Sequence, residues 1–162
     1  MSFNTNGLMS SDSIEWHTPQ YIIEWCQNHL IGCFFSLDVA STNQNKKASS
    51  NYTIQQNGLT RPWFGHVWLN PPYGRTIGQW ITKAIKELPR TKSITLLIPA
   101  RTDTRWFFEL VDNQYKKHLF FIKGRLSFSQ KGSAPFPSVI VHLLPREGST
   151  DSHFIEIDKE VQ

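Results

Sequence analysis

The sequence predicts an α/β domain whose sheet is mainly parallel and is finished by an antiparallel hairpin. Three observations carry this expectation. Short apolar runs at residues 33–40, His66–Leu69 and residues 93–100 have the length and side-chain types of buried strands. Segments with apolar residues at helical spacing lie around them. From Leu119 onward, β-rich runs follow one another with only Gly- and Pro-containing breaks. Helices between early strands favour parallel pairing, and strands in succession favour antiparallel pairing.

The elements follow in order. Residues 1–13 are polar, rich in Ser and Asn, and lack periodicity, so they read as a loose arm, with order beginning at Ile14. Thr18 is placed to cap a helix over residues 19–30 that has Pro19 in its first position and Gly32 beyond its end. The first strand, residues 33–40, runs into a mostly irregular stretch over residues 41–57, where Tyr52 and Ile54 are the apolar anchors. His66–Leu69 is the second strand, and Asn70-Pro71-Pro72-Tyr73-Gly74 stops it because tandem prolines cannot continue a ladder.

Ile77, Trp80, Ile81, Ala84, Ile85 and Leu88 then form the stripe of an amphipathic helix over residues 77–88. A third strand at 93–100, a helix at 104–111, and β-rich runs at 119–122, 125–128 and 138–144 complete the fold. The domain is expected to occupy residues 14–146, with residues 147–162 as a tail or an edge strand.

The 162 residues are 39% hydrophobic, enough for one core. A formal charge of +4 and a pI of 9.2 suit a polyanionic partner. Most of the six Trp and eleven Phe rings are expected in the core. Cys26 and Cys33 lack ligand spacing, which disfavours zinc and a disulfide framework, and no metal is expected. The six histidines show no triad or metal spacing and are expected mostly at the surface or at strand edges. No apolar run approaches the roughly twenty residues that span a bilayer. The expected location is the reducing cytoplasm.

The chemistry concentrates at the end of the second strand, since ligands of open α/β sheets sit at the carboxyl ends of strands. An aromatic amine is a weak nucleophile because its lone pair is delocalised into the ring. If the Asn70 amide oxygen and the Pro71 carbonyl both accept its hydrogens, the nitrogen is held in line with a methyl donor and regains the lone pair needed for attack. Pro71 and Pro72 stiffen the loop for that task. Tyr73 offers a ring on which a flipped base can stack. The alternative for the same four residues is a rigid proline turn capped by Asn.

With these residues in place, the chain resembles the small DNA adenine methyltransferases carried by bacteriophages and prophages, a Dam-like group with an Asn-Pro-Pro-Tyr motif. The resemblance runs from Trp16 to about Pro145. It includes Trp16-His17-Thr18-Pro19, Leu37-Asp38-Val39-Ala40, Asn57-Gly58-Leu59 and Leu69-Asn70-Pro71-Pro72-Tyr73. It continues through residues 97–107, Gly124-Arg125-Leu126 and Ala134-Pro135-Phe136-Pro137-Ser138.

The resemblance implies a minimal Rossmann-like methyltransferase fold and methyl transfer from S-adenosyl-L-methionine to the exocyclic N6 amine of adenine in double-stranded DNA, within a bacterial host cell. It implies cofactor contacts at Trp16, Thr18, Pro19, Asp38, Ala40, Asn57 and Asn70. Asp38 is acidic where an ammonium or a ribose hydroxyl is to be held, with a turn-capping carboxylate as the alternative. The sequence departs from many relatives in lacking a glycine-rich turn after the first strand and in having Asn57 in place of Asp.

Arg75, Arg101, Arg105 and Arg125 fall in or after loops near the expected cleft and are candidates for contacts to phosphates or base edges; surface charges or partners of an acid such as Asp103 are the alternative. Competing functions are methylation of an RNA base or of a protein glutamine amide, and a DNA-binding relative that has lost turnover.

Overall fold

The computed structural model describes residues 17–127 and 132–159. The expectations for residues 1–13, for the start at Ile14, for Trp16 and for Phe128 lie outside the described residues. Seven strands form one sheet: β1 Leu37–Asp38, β2 Ser50–Asn51, β3 His66–Leu69, β4 Ser93–Pro99, β5 Tyr115–Ile122, β6 Ser138–Glu147 and β7 Thr150–Ile155. Their spatial order is β2-β1-β3-β4-β6-β5-β7. The β2, β1, β3 and β4 ladders are parallel, β6 is antiparallel to both β4 and β5, and β7 pairs parallel with β5.

Among the described residues, three α-helices cover the two faces: α1 Gln20–Cys26 on one, α2 Ile77–Glu87 and α3 Arg105–Val111 on the other. Strand alternation feeds the two cores. Val67, Leu69, Leu96 and Ile98 face α2 and α3, whereas Trp68 and Leu97 pack with Ile22, Ile23 and Cys26 of α1. The predicted stripe of α2 is buried at Ile77, Trp80, Ile81 and Ala84, each large side chain contributing about 1.5–3 kcal/mol of burial.

Several boundaries differ from the sequence expectation. Pro19 is the residue before the first helical turn rather than inside it, and Thr18 makes no capping bond. The helix expected to reach Leu30 changes to π geometry over Gln27–Ile31 before Gly32 ends it at φ 68°. The first strand is short because Cys33 and Phe34 are exposed, Phe34 at 83%. Ladder-like bonds still flank it, from Ser36 N–H to the His66 carbonyl and from Val39 N–H to the Trp68 carbonyl.

The third strand ends at Pro99, the second long helix passes into a 3-10 turn at Leu88–Arg90, and Thr104 is the cap of α3 rather than its first residue. Tyr52 packs on the core as an anchor and its hydroxyl donates to the Pro62 carbonyl at 2.7 Å, but Ile54 is 64% exposed and anchors nothing.

In the last third, the expected strand over residues 125–128 reduces to an isolated bridge between Ser127 and Ser133. The strand expected from Leu119 instead begins at Tyr115. Its polar start is accommodated because buried Lys117 donates from Nζ to the carbonyls of Tyr115 at 2.7 Å and Asn113 at 3.1 Å. Residues beyond Arg146 include the edge strand β7. His142 is buried in β6 and shares a 2.9 Å hydrogen bond with Thr95 Oγ1, so this histidine departs from the surface expectation. No helix among the described residues is long and apolar enough to cross a membrane.

Candidate active site at the strand ends

The sheet order reverses at β1, which has β2 on one side and β3 on the other. A crevice forms outside the carboxyl ends of strands at such a reversal, because the chain leaves in opposite directions. Asp38 closes β1 and pairs in register with Trp68, and Asn70 directly follows β3. The fold therefore brings Asp38 and Ala40 to the same rim as Asn70, Pro71, Pro72 and Tyr73.

Asn70 Nδ2 donates to Thr18 Oγ1 at 3.1 Å, and Thr18 is buried. Thr18 thus engages the amine side of the amide, and the carbonyl Oδ1 is its accepting side. Thr18 reaches this position from the segment before α1, and His17 secures that segment by a 2.7 Å bond between its Nε2 and Asn45 Nδ2. Burial and nearby Lys47 hold the His17 imidazole below its usual pKa, so its neutral form is favoured. Pro19 is half-buried beside Thr18.

Pro71 is buried and Pro72 exposed. Tyr73 is half-buried and packs edge-to-face on Phe136, with centroids 5.2 Å apart and an interplanar angle of 87°; its hydroxyl donates to the Leu97 carbonyl at 3.5 Å. Burial pushes its phenol up.

Asp38 is 2% exposed. Its Oδ2 accepts from the Lys47 N–H at 2.9 Å and its Oδ1 from the Ala40 N–H at 3.3 Å, so it organises the turn after β1. Burial pushes its carboxyl up to about 6, against the opposing effects of those two N–H donors, the Lys47 charge and the Ser41 hydroxyl. A cationic group brought beside it would offset the burial that disfavours the charge. Asp38 thus lies at the same strand ends as Asn70 and carries the charge that complements an ammonium group.

Asn57 has φ 56° and its Oδ1 accepts from the Leu59 N–H at 3.2 Å, making it the cap of a 3-10 turn over Gly58–Thr60. The turn lies against the end of β1: a Cβ on Gly58 would meet the Val39 carbonyl oxygen at 2.2 Å. Trp63 Nε1 secures it from the other side by donating to the Gly58 carbonyl at 2.8 Å. Gly58 and Lys47 were not among the sequence candidates. The Asn57-Gly58 dipeptide signals a turn, whereas nothing local marks the Lys47 N–H as a partner of Asp38.

All four arginines are exposed, and none makes an ion pair among the described residues. Arg75 and Arg105 line one groove along α2; Arg101 follows β4 and Arg125 follows β5, outside that groove.

Comparison with known proteins adds the decisive observation. Residues 6–150 match the family model described as DNA N-6-adenine-methyltransferase (Dam). The chain belongs to this family. A member from Escherichia phage T1, named DNA N-6-adenine-methyltransferase, is 36% identical over 101 residues, which cover 60% of this chain and 41% of the phage protein. The chain thus matches less than half the length of that Dam-family relative. A crystal structure of a predicted O-methyltransferase from Agrobacterium tumefaciens is similar at 17% identity and a TM-score of 0.32, over 56% of this chain and 40% of that one.

Proposed function

We propose that this protein is an S-adenosyl-L-methionine-dependent DNA methyltransferase acting on the exocyclic N6 amine of adenine in double-stranded DNA inside the bacterial host cell. The observation that carries the reading is the Asn70 amide held by Thr18 at the reversal of the sheet, directly ahead of Pro71-Pro72-Tyr73, in a chain of the Dam family.

Each residue has a distinct task. Asn70 Oδ1 and the Pro71 carbonyl accept the two amine hydrogens, which localises the nitrogen lone pair and aims it. Thr18 anchors the Asn70 amide through its nitrogen. Tyr73, braced by Phe136, stacks on the extruded adenine. Asp38 holds the cationic amino acid end of the cofactor, with Pro19, Ala40 and Asn57 contributing further cofactor contacts. S-Adenosylmethionine, when bound, supplies the electrophilic methyl group. Arg75, Arg101, Arg105 and Arg125 carry positive charge along the rim for contacts to DNA.

Transfer of tritiated methyl groups tests the assignment, with unmethylated duplex DNA, RNA of the same sequence and a glutamine-containing peptide offered in parallel. Label is expected in DNA, at adenine N6. In single-turnover mode Asn70→Ala should slow transfer by about 10²–10³, the scale of losing one positioned hydrogen-bonding group. Label in RNA or peptide but not DNA overturns the proposal, as does a wild-type rate in Asn70→Ala.

A further inference from the structure

A groove of ≈ 770 Å³ runs along the outer side of α2 and is walled by the start of α3. It opens at Gly74 and Arg75, immediately after the Asn70-Pro71-Pro72-Tyr73 loop, and reaches Lys86 near the end of the helix. Gly78 lets α2 lie close to Trp106, whose half-buried ring contributes to the wall beside Arg105.

The charges along this groove are strongly one-sided. Its ionisable lining consists of Arg75, Lys83, Lys86 and Arg105 against the single carboxylate of Glu109. Across the chain, 17 Lys and Arg stand against 13 Asp and Glu, so the four-to-one ratio in the groove is a local concentration of cations. Lys83 is committed to Glu87 at 2.9 Å, and Glu109 accepts from the Thr82 hydroxyl at 3.1 Å. Arg75, Lys86 and Arg105 make no ion pair among the described residues. Three cations along one track, without bound counter-charges, suit a linear polyanion.

We propose that this groove carries the phosphodiester backbone of the DNA strand next to the target adenine. The inference rests on the proposed DNA substrate and adds Lys86, Lys83 and the Trp106 wall to the contacts expected of the arginines. The distance fits: from Ile77 to Lys86 the helix advances ~14 Å, which is about four nucleotides at ~3.4 Å per nucleotide of one strand. The groove begins where the amine-holding loop ends, so a strand whose base enters at Asn70 continues along α2 with its phosphates facing Arg75, Arg105 and Lys86. Trp106 offers apolar surface to the deoxyribose. Such contacts set register and affinity and leave the chemistry to the loop.

The test compares the salt dependence of duplex binding in the full chain and two charge variants. Fluorescence anisotropy with an unmethylated 20-base-pair duplex is recorded over a series of salt concentrations. Each phosphate contact contributes about 0.9 to the slope of log K against log salt, so Lys86→Gln/Arg105→Gln should lower that slope by about 2. Thermal stability and the response to S-adenosylmethionine should not change. Arg90→Gln/Lys92→Gln removes the same charge from exposed positions just before β4, and should change the slope by less than about 0.5. An unchanged slope in the groove variant, or an equal change in the control, overturns the groove assignment. If wild-type protein methylates DNA in those same samples, only the groove has failed; if it labels no DNA, the functional proposal has failed as well.

Discussion

The Asn70 side chain donates to the Thr18 hydroxyl across 3.1 Å, joining residues 52 positions apart at the carboxyl end of the sheet. An amide that can flip presents a donor or an acceptor to an amine substrate, and only the acceptor helps. Here Thr18 Oγ1 accepts from Nδ2, which turns the amide nitrogen toward Thr18. This makes Thr18 a positioning residue, separate from the helix-capping task that the Thr-Pro dipeptide suggests.

Replacing the Thr18 hydroxyl by a methyl tests that separation. Thr18→Val keeps the side-chain shape and removes the bond from Asn70 Nδ2 to the hydroxyl, so methyl transfer should fall by about 10²-fold, the cost of a misplaced reacting group. Thr18→Ser should retain most of the rate. Single-turnover rates at saturating cofactor and DNA provide the check. If Val and Ser variants are equally active, the bond does not position Asn70.

Asp38 predicts how cofactor affinity depends on pH. Its carboxyl in the free protein has a pKa of about 6 because it is buried. A cationic ligand favours the carboxylate, so binding must release the proton wherever the free protein carries one. The dissociation constant for S-adenosylmethionine should therefore be lowest near pH 7, weaken toward tenfold per pH unit below about 6, and weaken again as the ligand's α-ammonium, with a pKa of about 7.7–8.0, loses its proton. Asp38→Asn should bind weakly with no such dependence. Titration calorimetry from pH 5 to 8, with proton release read from buffers of different ionisation enthalpy, distinguishes the two.

Gly58 predicts a steric effect at the cofactor pocket. A methyl group on it would lie 2.2 Å from the Val39 carbonyl oxygen, which is backbone and has little room to retreat. Gly58→Ala should push the 57–60 turn off the end of β1, cost about 1–3 kcal/mol of stability, and weaken cofactor binding. Asn57→Gly loses the bond to the Leu59 N–H but suits the left-handed backbone there, so it should be milder. Urea unfolding and cofactor titration of both variants rank the effects; an Ala variant as stable as wild type contradicts the close approach.

These residues also show what a linear sequence reveals. The β3 boundaries were legible because an apolar run meets Asn-Pro-Pro, where pairing must stop, and the α2 stripe was legible because its period is set by one buried face. The relation of Thr18 to Asn70 was not, since a hydroxyl next to Pro has a local use as a cap and its distant partner leaves no trace nearby. Lys117 misled for the opposite reason. In Lys116-Lys117-His118 the sequence shows charge, yet the Lys117 ammonium satisfies backbone carbonyls at the α3–β5 turn and lets β5 start at Tyr115. The edge strand β7 has one partner and mostly exposed side chains, so it imposes only a weak alternation. At the site, Asn70 through Tyr73 stood out by composition, and the local bond from the Ala40 N–H fits the turn-capping alternative for Asp38, whereas its bond from the Lys47 N–H, nine residues on, has no local signal.

His142 and Asp38 make opposed contributions to stability in acid. Burial, with His118 and His66 nearby, holds the His142 imidazole at about 4 rather than 6.5, and Thr95 Oγ1 hydrogen-bonds its Nδ1. The folded state therefore disfavours the protonated ring. The unfolded chain binds the extra proton between those values, so stability is lost as pH falls from about 6.5 to about 4. The full shift corresponds to ~3 kcal/mol. Asp38, with its pKa raised from 3.8 to about 6, works the other way: the folded protein holds the proton first, and acidification from about 6 to about 4 adds stability. The two nearly offset each other. His17, His66 and His118 are also lowered, chiefly by burial, and the Glu87 and Asp151 carboxyls are lowered by their hydrogen-bond partners, so these groups add to the loss on acidification. Removing one of the opposed pair exposes the other. His142→Gln should lose about 3 kcal/mol less stability than wild type between pH 6.5 and pH 4, and Asp38→Asn should lose correspondingly more. Urea denaturation at pH 7, 5.5 and 4, compared as differences from wild type, provides the measurement. Parallel profiles for wild type and His142→Gln would mean that the buried ring accepts its proton with no penalty from the fold.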